Sequence, residues 1–247
     1  MIRSALTIMN AREERWGHKT ATRRVAQLSF ADRKTRGGPR PNAGPKPGLR
    51  PKVRHRTRPA HRAYRPVHVT MRRAKGLPSL RSDRLHRLVR ESIRATRRDG
   101  FRIVHYSVQA DHLHLIVEAD DAASLTSGMR SFAVRVAMRV NHRVLLRQRG
   151  RVWGDRHHRR ELTTPSEVRN VLVYVLNNHL KHGEYDVGLI DPCSSAPWFD
   201  GWMHQREPRP PDPPAACPPS TWLLEKGWST AGLGYLNVGE VARSLRA

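Results

Sequence analysis

Two histidines one residue apart, His112 and His114, open a strand-like run, and much later Tyr174 stands four positions before Asn178 on helix-like sequence. Side chains alternate across a strand, so both imidazoles point to one face, where neutral rings can share a divalent cation. Residues i and i+4 share a helix face, so the phenol and the amide are expected side by side. A phenol with a pKa near ~10 is a poor nucleophile at neutral pH. A cation held by two imidazoles and an amide oxygen keeps positions open, and there it can polarise a phosphodiester and place it in line with a phenolate. Mixed N/O ligation suits Mg²⁺ or Mn²⁺ when a phosphate oxygen completes the shell. The product would be a covalent phosphotyrosine that keeps the bond energy for rejoining. Each pair alone is weak: half-buried strand histidines and boundary tyrosines are common, and the chemistry depends on the pairs meeting.

The elements that must bring them together are readable. Pro66-Val67-His68-Val69-Thr70-Met71-Arg72 alternates and is β-branched, which predicts a strand. Ser82 and Asp83 are candidate caps for a helix whose Leu85, Leu88, Val89 and Ile93 recur at helical spacing, stopped by Gly100. Phe101 to Gln109 and His112 to Glu118 read as strands joined by a tight turn at Ala110-Asp111, hence antiparallel. A long helix is predicted over Ala122 to Gln148, with Leu125, Met129, Phe132, Val136 and Val140 as its apolar stripe. Val152-Trp153 and Glu161-Leu162 read as short strand pieces. Thr164-Pro165-Ser166-Glu167 is a helix start, and that helix is expected to run to about His182. The order predicts an α+β fold, an antiparallel sheet with helices packed on it.

Around this core, residues 1–64 read as a disordered basic arm: no acid lies between Asp32 and Asp83, and Pro and Gly punctuate the stretch that holds Arg40 and Lys46. These two are candidate phosphate contacts. Residues 65–190 form the expected catalytic domain, and residues 191–247 a C-terminal extension. In that extension Arg206 to Pro214 is a stiff linker and Thr221 to Trp228 a short docking helix. A net charge of +25 over 247 residues predicts a polyanionic partner, with nucleic acid favoured through counterion release. Arg156, His157, His158, Arg159 and Arg160, just before the tyrosine helix, are candidate DNA-backbone contacts, set against the plainer reading of a solvated turn. Glu118 and Asp120 lie near the histidine strand as possible shapers of the site or ordinary strand-end acids. Two cysteines, Cys193 and Cys217, form no disulfide framework and no zinc spacing. With no membrane-length apolar run and no secretory leader, this predicts a cytoplasmic protein with no membrane partner.

The run Tyr106-Ser107-Val108-Gln109-Ala110-Asp111-His112-Leu113-His114-Leu115-Ile116-Val117, then Trp153, then Tyr174-Val175-Leu176-Asn177-Asn178-His179-Leu180-Lys181-His182-Gly183, resembles the REP-associated tyrosine transposases. These are single-tyrosine members of the HUH nuclease class, and the resemblance covers roughly residues 65–183. It implies a ferredoxin-like or RRM-like sheet with the two histidines on a central strand. It implies His112, His114 and Asn178 as metal ligands and Tyr174 as nucleophile. The implied activity is metal-dependent cleavage and rejoining of single-stranded DNA, with a 5′-phosphotyrosine and a free 3′-hydroxyl. The implied substrate is a short repetitive extragenic hairpin in a bacterial nucleoid, and the implied protein a monomer or homodimer. The sequence departs from the family pattern at His179, where Pro is frequent, and at Ala110-Asp111, where Pro-Asn is frequent. Neither departure removes a group the chemistry uses. The competing reading is a non-catalytic or domesticated DNA- or RNA-binding protein on the same RRM-like sheet.

Overall fold

The alternation in Val67–Arg72 does form a strand, β1, and it lies inside the sheet. The computed structural model describes residues 60–145, 150–182, 190–204, 209–230 and 234–242. Arg40, Lys46 and most of the expected arm fall outside the described residues. Within the described part of that stretch, His61 Nδ1 lies 2.9 Å from Glu161 and its Nε2 2.9 Å from the Ala119 carbonyl. Contacts with the sheet therefore begin before Arg65.

After β1 come α1 (Asp83–Thr96), β2 (Phe101–Val108), β3 (His112–Ala119), α2 (Ala122–Arg143), β4 (His158–Glu161) and α3 (Pro165–Leu176). Among the described residues the sheet has four strands in the order β2-β3-β1-β4, every pair antiparallel. This is the ferredoxin-like order, with β1 and β3 central. One face is apolar: Val67, Val69, Met71, Leu113, Leu115, Val117 and Tyr106 are buried with the stripes of α1 and α2. Gly128 lets α2 approach the sheet, because a Cβ there would fall 2.2 Å from the Phe101 ring.

The opposite face is polar. Register pairs Thr70 with His114 and His68 with Ile116 across β1 and β3, and Ser107 with His114 and His105 with Ile116 across β2 and β3. A register shift between Ile103 and His105 turns Val104 toward this face. There it joins Ile116, the α3 residues Val168, Val171, Leu172 and Val175, and C-terminal Phe199, Trp202, Leu223 and Trp228 in a second apolar cluster. The predicted docking helix is present as α5 (Trp222–Glu225), numbered after the short α4 (His179–His182), with Leu223 and Leu224 buried. Glu118 anchors it. Its buried carboxylate accepts from Ser220 N at 2.8 Å, Ser220 Oγ at 2.9 Å, Thr221 N at 2.9 Å and Thr221 Oγ1 at 2.7 Å.

Three boundaries differ from the sequence expectation. Helix α2 stops at Arg143 rather than Gln148, with Val144 as its C-cap and residues 146–149 outside the described set. Trp153 makes only an isolated bridge to Arg73, and the edge strand is His158–Glu161 rather than a piece starting at Glu161. Helix α3 ends at Leu176, and α4 follows after Asn177 and Asn178. The break has a tertiary cause: Asn177 is the C-cap and its Nδ2 donates to the carbonyls of Asn237 at 2.9 Å and Glu240 at 3.0 Å.

Buried histidines make this fold acid-sensitive. Burial pushes His105 down to about 4, and burial, then the nearby His158 and Arg160 charges, push His68 down to about 4. Between the ordinary histidine value near ~6.5 and about 4, the unfolded chain binds protons that the folded chain does not. Stability therefore falls as pH drops through that window, by roughly 3 kcal/mol for each such histidine. Urea denaturation across pH 7 to 4 should show this slope, and His105→Phe should flatten it by one titrating group. A profile unchanged by the substitution would contradict the assignment.

Candidate active site

Strand β3 supplies His112 and His114 on the polar face, with ring centroids 4.7 Å apart and planes at 87°. Helix α3 supplies Tyr174. It is fixed over the sheet by the Thr164 cap, whose Oγ1 accepts from Glu167 N at 3.2 Å, and by Pro165 in the first turn. Glu167 reaches back to Thr163 N and Oγ1, both at 2.7 Å, one residue before the N-cap itself. The Tyr174 ring packs edge-on against His114 at 4.9 Å and His68 at 5.8 Å. Its hydroxyl lies 3.4 Å from His114 Nε2.

The network assigns tautomers. His112 Nδ1 lies 2.6 Å from Asp111 Oδ1, so Nδ1–H donates to the carboxylate and the Nε2 lone pair faces away from it. The bond to His112, more than any other contact, holds the Asp111 carboxyl below its ordinary value. His114 Nδ1 lies 3.2 Å from both His68 Nε2 and Thr70 Oγ1. A neutral His68 can accept from His114 Nδ1–H, which leaves His114 Nε2 to accept from the phenol. The carboxylate holds His112 in the tautomer that presents Nε2, and the same tautomer is open to His114, with a second imidazole behind it, an arrangement compatible with metal-ligating histidines. Burial raises the Tyr174 pKa, so the phenol is protonated at neutral pH.

Asn178 follows the end of α3, so the expected shared helix face is replaced by a turn: α3 ends two residues earlier because Asn177 is held by the C-terminal extension. Its side chain is buried, and neither Oδ1 nor Nδ2 has a hydrogen-bond partner among the described residues. Such an amide is costly unless something accepts or coordinates it. Among the described residues no group of three or more His, Cys, Asp and Glu side chains could hold a metal. A cation on the two imidazoles would need further donors, from substrate oxygens or from an amide such as Asn178, for which no described contact with either histidine is seen.

The basic run does not present one surface. His158 and Arg160 pair with Thr70 and His68 and share the histidine face, whereas Arg159 pairs with Val69 and points to the other side. Arg160 also holds Glu167 at 2.7 Å. Arg156 is exposed and His157 half-buried, both ahead of the strand. The solvated-turn reading is thus replaced, for His158 to Arg160, by an edge strand bordering the site. His68 and Thr70 were not singled out from sequence. The signal was there, as polar residues alternating with Val67 and Val69 on the strand next to His114. Asp111, read as part of the turn and as a departure from the family pattern, also orients the first histidine.

Residues 60–178 match the family model described as "Transposase IS200 like". The segment takes in the sheet, Tyr174 and, as its last residue, Asn178. A solved structure of a REP-associated tyrosine transposase bound to a REP hairpin is similar over 54% of this chain and 76% of that one, at 18% identity and a TM-score of 0.45. No curated protein matches the chain. Among the described residues no helix is long and apolar enough to cross a membrane. The segment that matches, with the histidine pair and the tyrosine on one face of its sheet, is thus similar to the IS200-like transposases over residues 60–178 of the 247.

Proposed function

We propose that this chain cleaves and rejoins single-stranded hairpin DNA, with Tyr174 as nucleophile and His112, His114 and Asn178 as the holders of a divalent cation, Mg²⁺ or Mn²⁺. The observation that carries the reading is the Tyr174 hydroxyl at 3.4 Å from His114 Nε2, with His112 on the same face. When bound, the cation would polarise the phosphate and favour the phenolate. The protein's own residues do the rest. His68 and His114 clamp the Tyr174 ring edge-on, which limits the directions its oxygen can take. Asp111 and His68 keep the two imidazoles in one orientation. His158 and Arg160 add positive charge to the face the phosphate would approach.

In the proposed step Tyr174 Oη forms a bond to phosphorus and the bond to the 3′ oxygen breaks. The phenol proton leaves to solvent from the half-exposed hydroxyl, and the departing 3′ oxygen takes a proton from solvent. A 5′-phosphotyrosine and a free 3′-hydroxyl result, and the reverse attack by a 3′-hydroxyl rejoins the strand. The motif resemblance supplies the substrate class, a short repetitive extragenic hairpin, and the setting, a bacterial nucleoid. The boundaries proposed are a basic arm to residue 64, the catalytic domain to residue 190 and the extension beyond, acting as monomer or homodimer. A non-catalytic RRM-like binder would stack bases on strand aromatics. The described strands carry only Phe101 and Tyr106, both buried, which disfavours that reading. The test is incubation of the full chain with labelled single-stranded hairpin DNA and Mn²⁺. A protein–DNA adduct that survives denaturant should form and should be absent in excess chelator; adduct formation indifferent to chelator would contradict the metal assignment.

A further inference from the structure

We propose that the C-terminal extension and the β2 edge together form a receptor for one unpaired nucleobase of the DNA strand, an inference that takes its DNA partner from the reading above. Between them lies a cavity of about 640 Å³, within the range of small-ligand sites. Val104 and His105 of β2 line it on one side, and Trp198, Phe199, Trp228 and Tyr235 of the extension line it on the other. The rings are fixed against one another. Phe199 lies 5.4 Å from His105 and 5.4 Å from Trp228, and Trp228 lies 6.0 Å from Tyr235. Gly201 makes this possible, because a Cβ there would sit 2.4 Å from both Phe199 and Trp228. Phe199 and Trp228 are buried, but Tyr235 is 55% exposed. A large ring left exposed beside a cavity walled by aromatics is a stacking platform for a planar ligand.

The polar groups select a base over an anion. Ser195 Oγ is taken up by the Tyr106 backbone, accepting from its N–H at 3.0 Å, and lies 3.3 Å from His105 Nδ1, so on this wall the neutral His105 ring offers its edge and face rather than a charge. The charged lining nearly balances: Arg97, Arg209 and Lys226 stand against Asp200 and Glu225, and Arg209 is paired with Asp200. A phosphate buried among these would meet two carboxylates. A neutral base meets no such penalty and leaves its backbone at the rim beside the exposed Arg97 and Lys226. Four of the six tryptophans, Trp198, Trp202, Trp222 and Trp228, fall in this extension, so base stacking absent from the sheet face has its side chains here.

The receptor is fixed relative to the catalytic helix, because Trp228 shares an apolar cluster with Val168, Val171, Leu172 and Val175 of α3. His105 pairs with Ile116, two residues along β3 from His114. Strand geometry puts His105 and His114 roughly 8 Å apart at Cα. The base received therefore belongs to the single-stranded flank near the cleaved phosphate, not to a distant hairpin loop.

The experiment is a binding cycle with the full-length chain and its Tyr235→Ala variant, whose exposed site spares the core. The DNA probes are a hairpin with a single-stranded flank, the same hairpin with abasic sites along the flank, and a blunt hairpin. Wild type should bind the abasic-flank probe roughly tenfold more weakly than the normal one, the equivalent of one lost stacking contact. Tyr235→Ala should lose a similar factor on the normal flank, nothing further on the abasic flank and nothing on the blunt hairpin. Equal affinity of wild type and variant for the normal flank would overturn the receptor. Covalent capture by wild type, followed in parallel, separates the two readings. An adduct without the binding cycle removes the receptor and keeps the nuclease; the cycle without an adduct removes the nuclease and keeps the receptor.

Discussion

Tyr174→Phe should abolish covalent capture of hairpin DNA while leaving hairpin affinity nearly unchanged. The phenyl ring retains the edge contacts with His114 at 4.9 Å and His68 at 5.8 Å, so the cleft keeps its shape. The oxygen and its contact with His114 Nε2 are lost. A half-exposed hydrogen bond of this kind contributes about 1 kcal/mol to folding, so the variant should melt close to the parent. No other described phenol can take over. Tyr106 lies on the apolar face, and burial pushes its pKa up to about 12. Tyr64 and Tyr235 are exposed and have no place in the histidine cluster. Denaturing gels with labelled hairpin read the loss, and a persistent adduct in the variant would move the nucleophile elsewhere.

The second large effect falls on the histidine pair. Substituting an outer partner of a metal-ligating histidine typically costs about 10- to 100-fold in metal affinity or activity. His112→Ala and His114→Ala, which would remove the proposed ligands themselves, should cost roughly 100-fold or more in the rate of adduct formation. Asp111→Asn keeps His112 but weakens its orienting bond, so it should fall in the milder range and recover as Mn²⁺ is raised. His114→Ala also strips the partner from His68 Nε2 and Thr70 Oγ1, so its thermal stability must be followed alongside. His112, nearer the strand end and bonded to a partly exposed Asp111, separates ligand loss from fold damage more cleanly. The discriminating readout is the Mn²⁺ concentration at half-maximal rate. It should rise in Asp111→Asn and leave the measurable range in His112→Ala. Wild-type rates at ordinary Mn²⁺ for both histidine variants would contradict the ligand assignment.

What was legible in the sequence was local. The alternation of Val67 to Arg72 and of His112 to Glu118 fixed which side chains share a face, and the antiparallel sheet with helices packed on it followed from element order. Thr164-Pro165-Ser166-Glu167 marked the start of α3 because a cap needs only neighbours in the chain. The end of that helix was not legible. Asn177 is held by the carbonyls of Asn237 and Glu240, contacts that no local pattern announces. The same limit hid the role of Glu118, whose four donors lie in Ser220 and Thr221. It also hid His68, which matters only because register sets β1 beside β3. The basic run from Arg156 to Arg160 was read by composition, and composition does not say which side chains a short edge strand sends to each face.

The most direct test digests the denaturant-resistant complex with protease and nuclease and locates the remaining phosphonucleotide by mass spectrometry. The account predicts a 5′-linked nucleotide on Tyr174 and a free 3′-hydroxyl on the released strand. A nucleotide on any other residue, or cleaved DNA with no strand attached to protein, would contradict it.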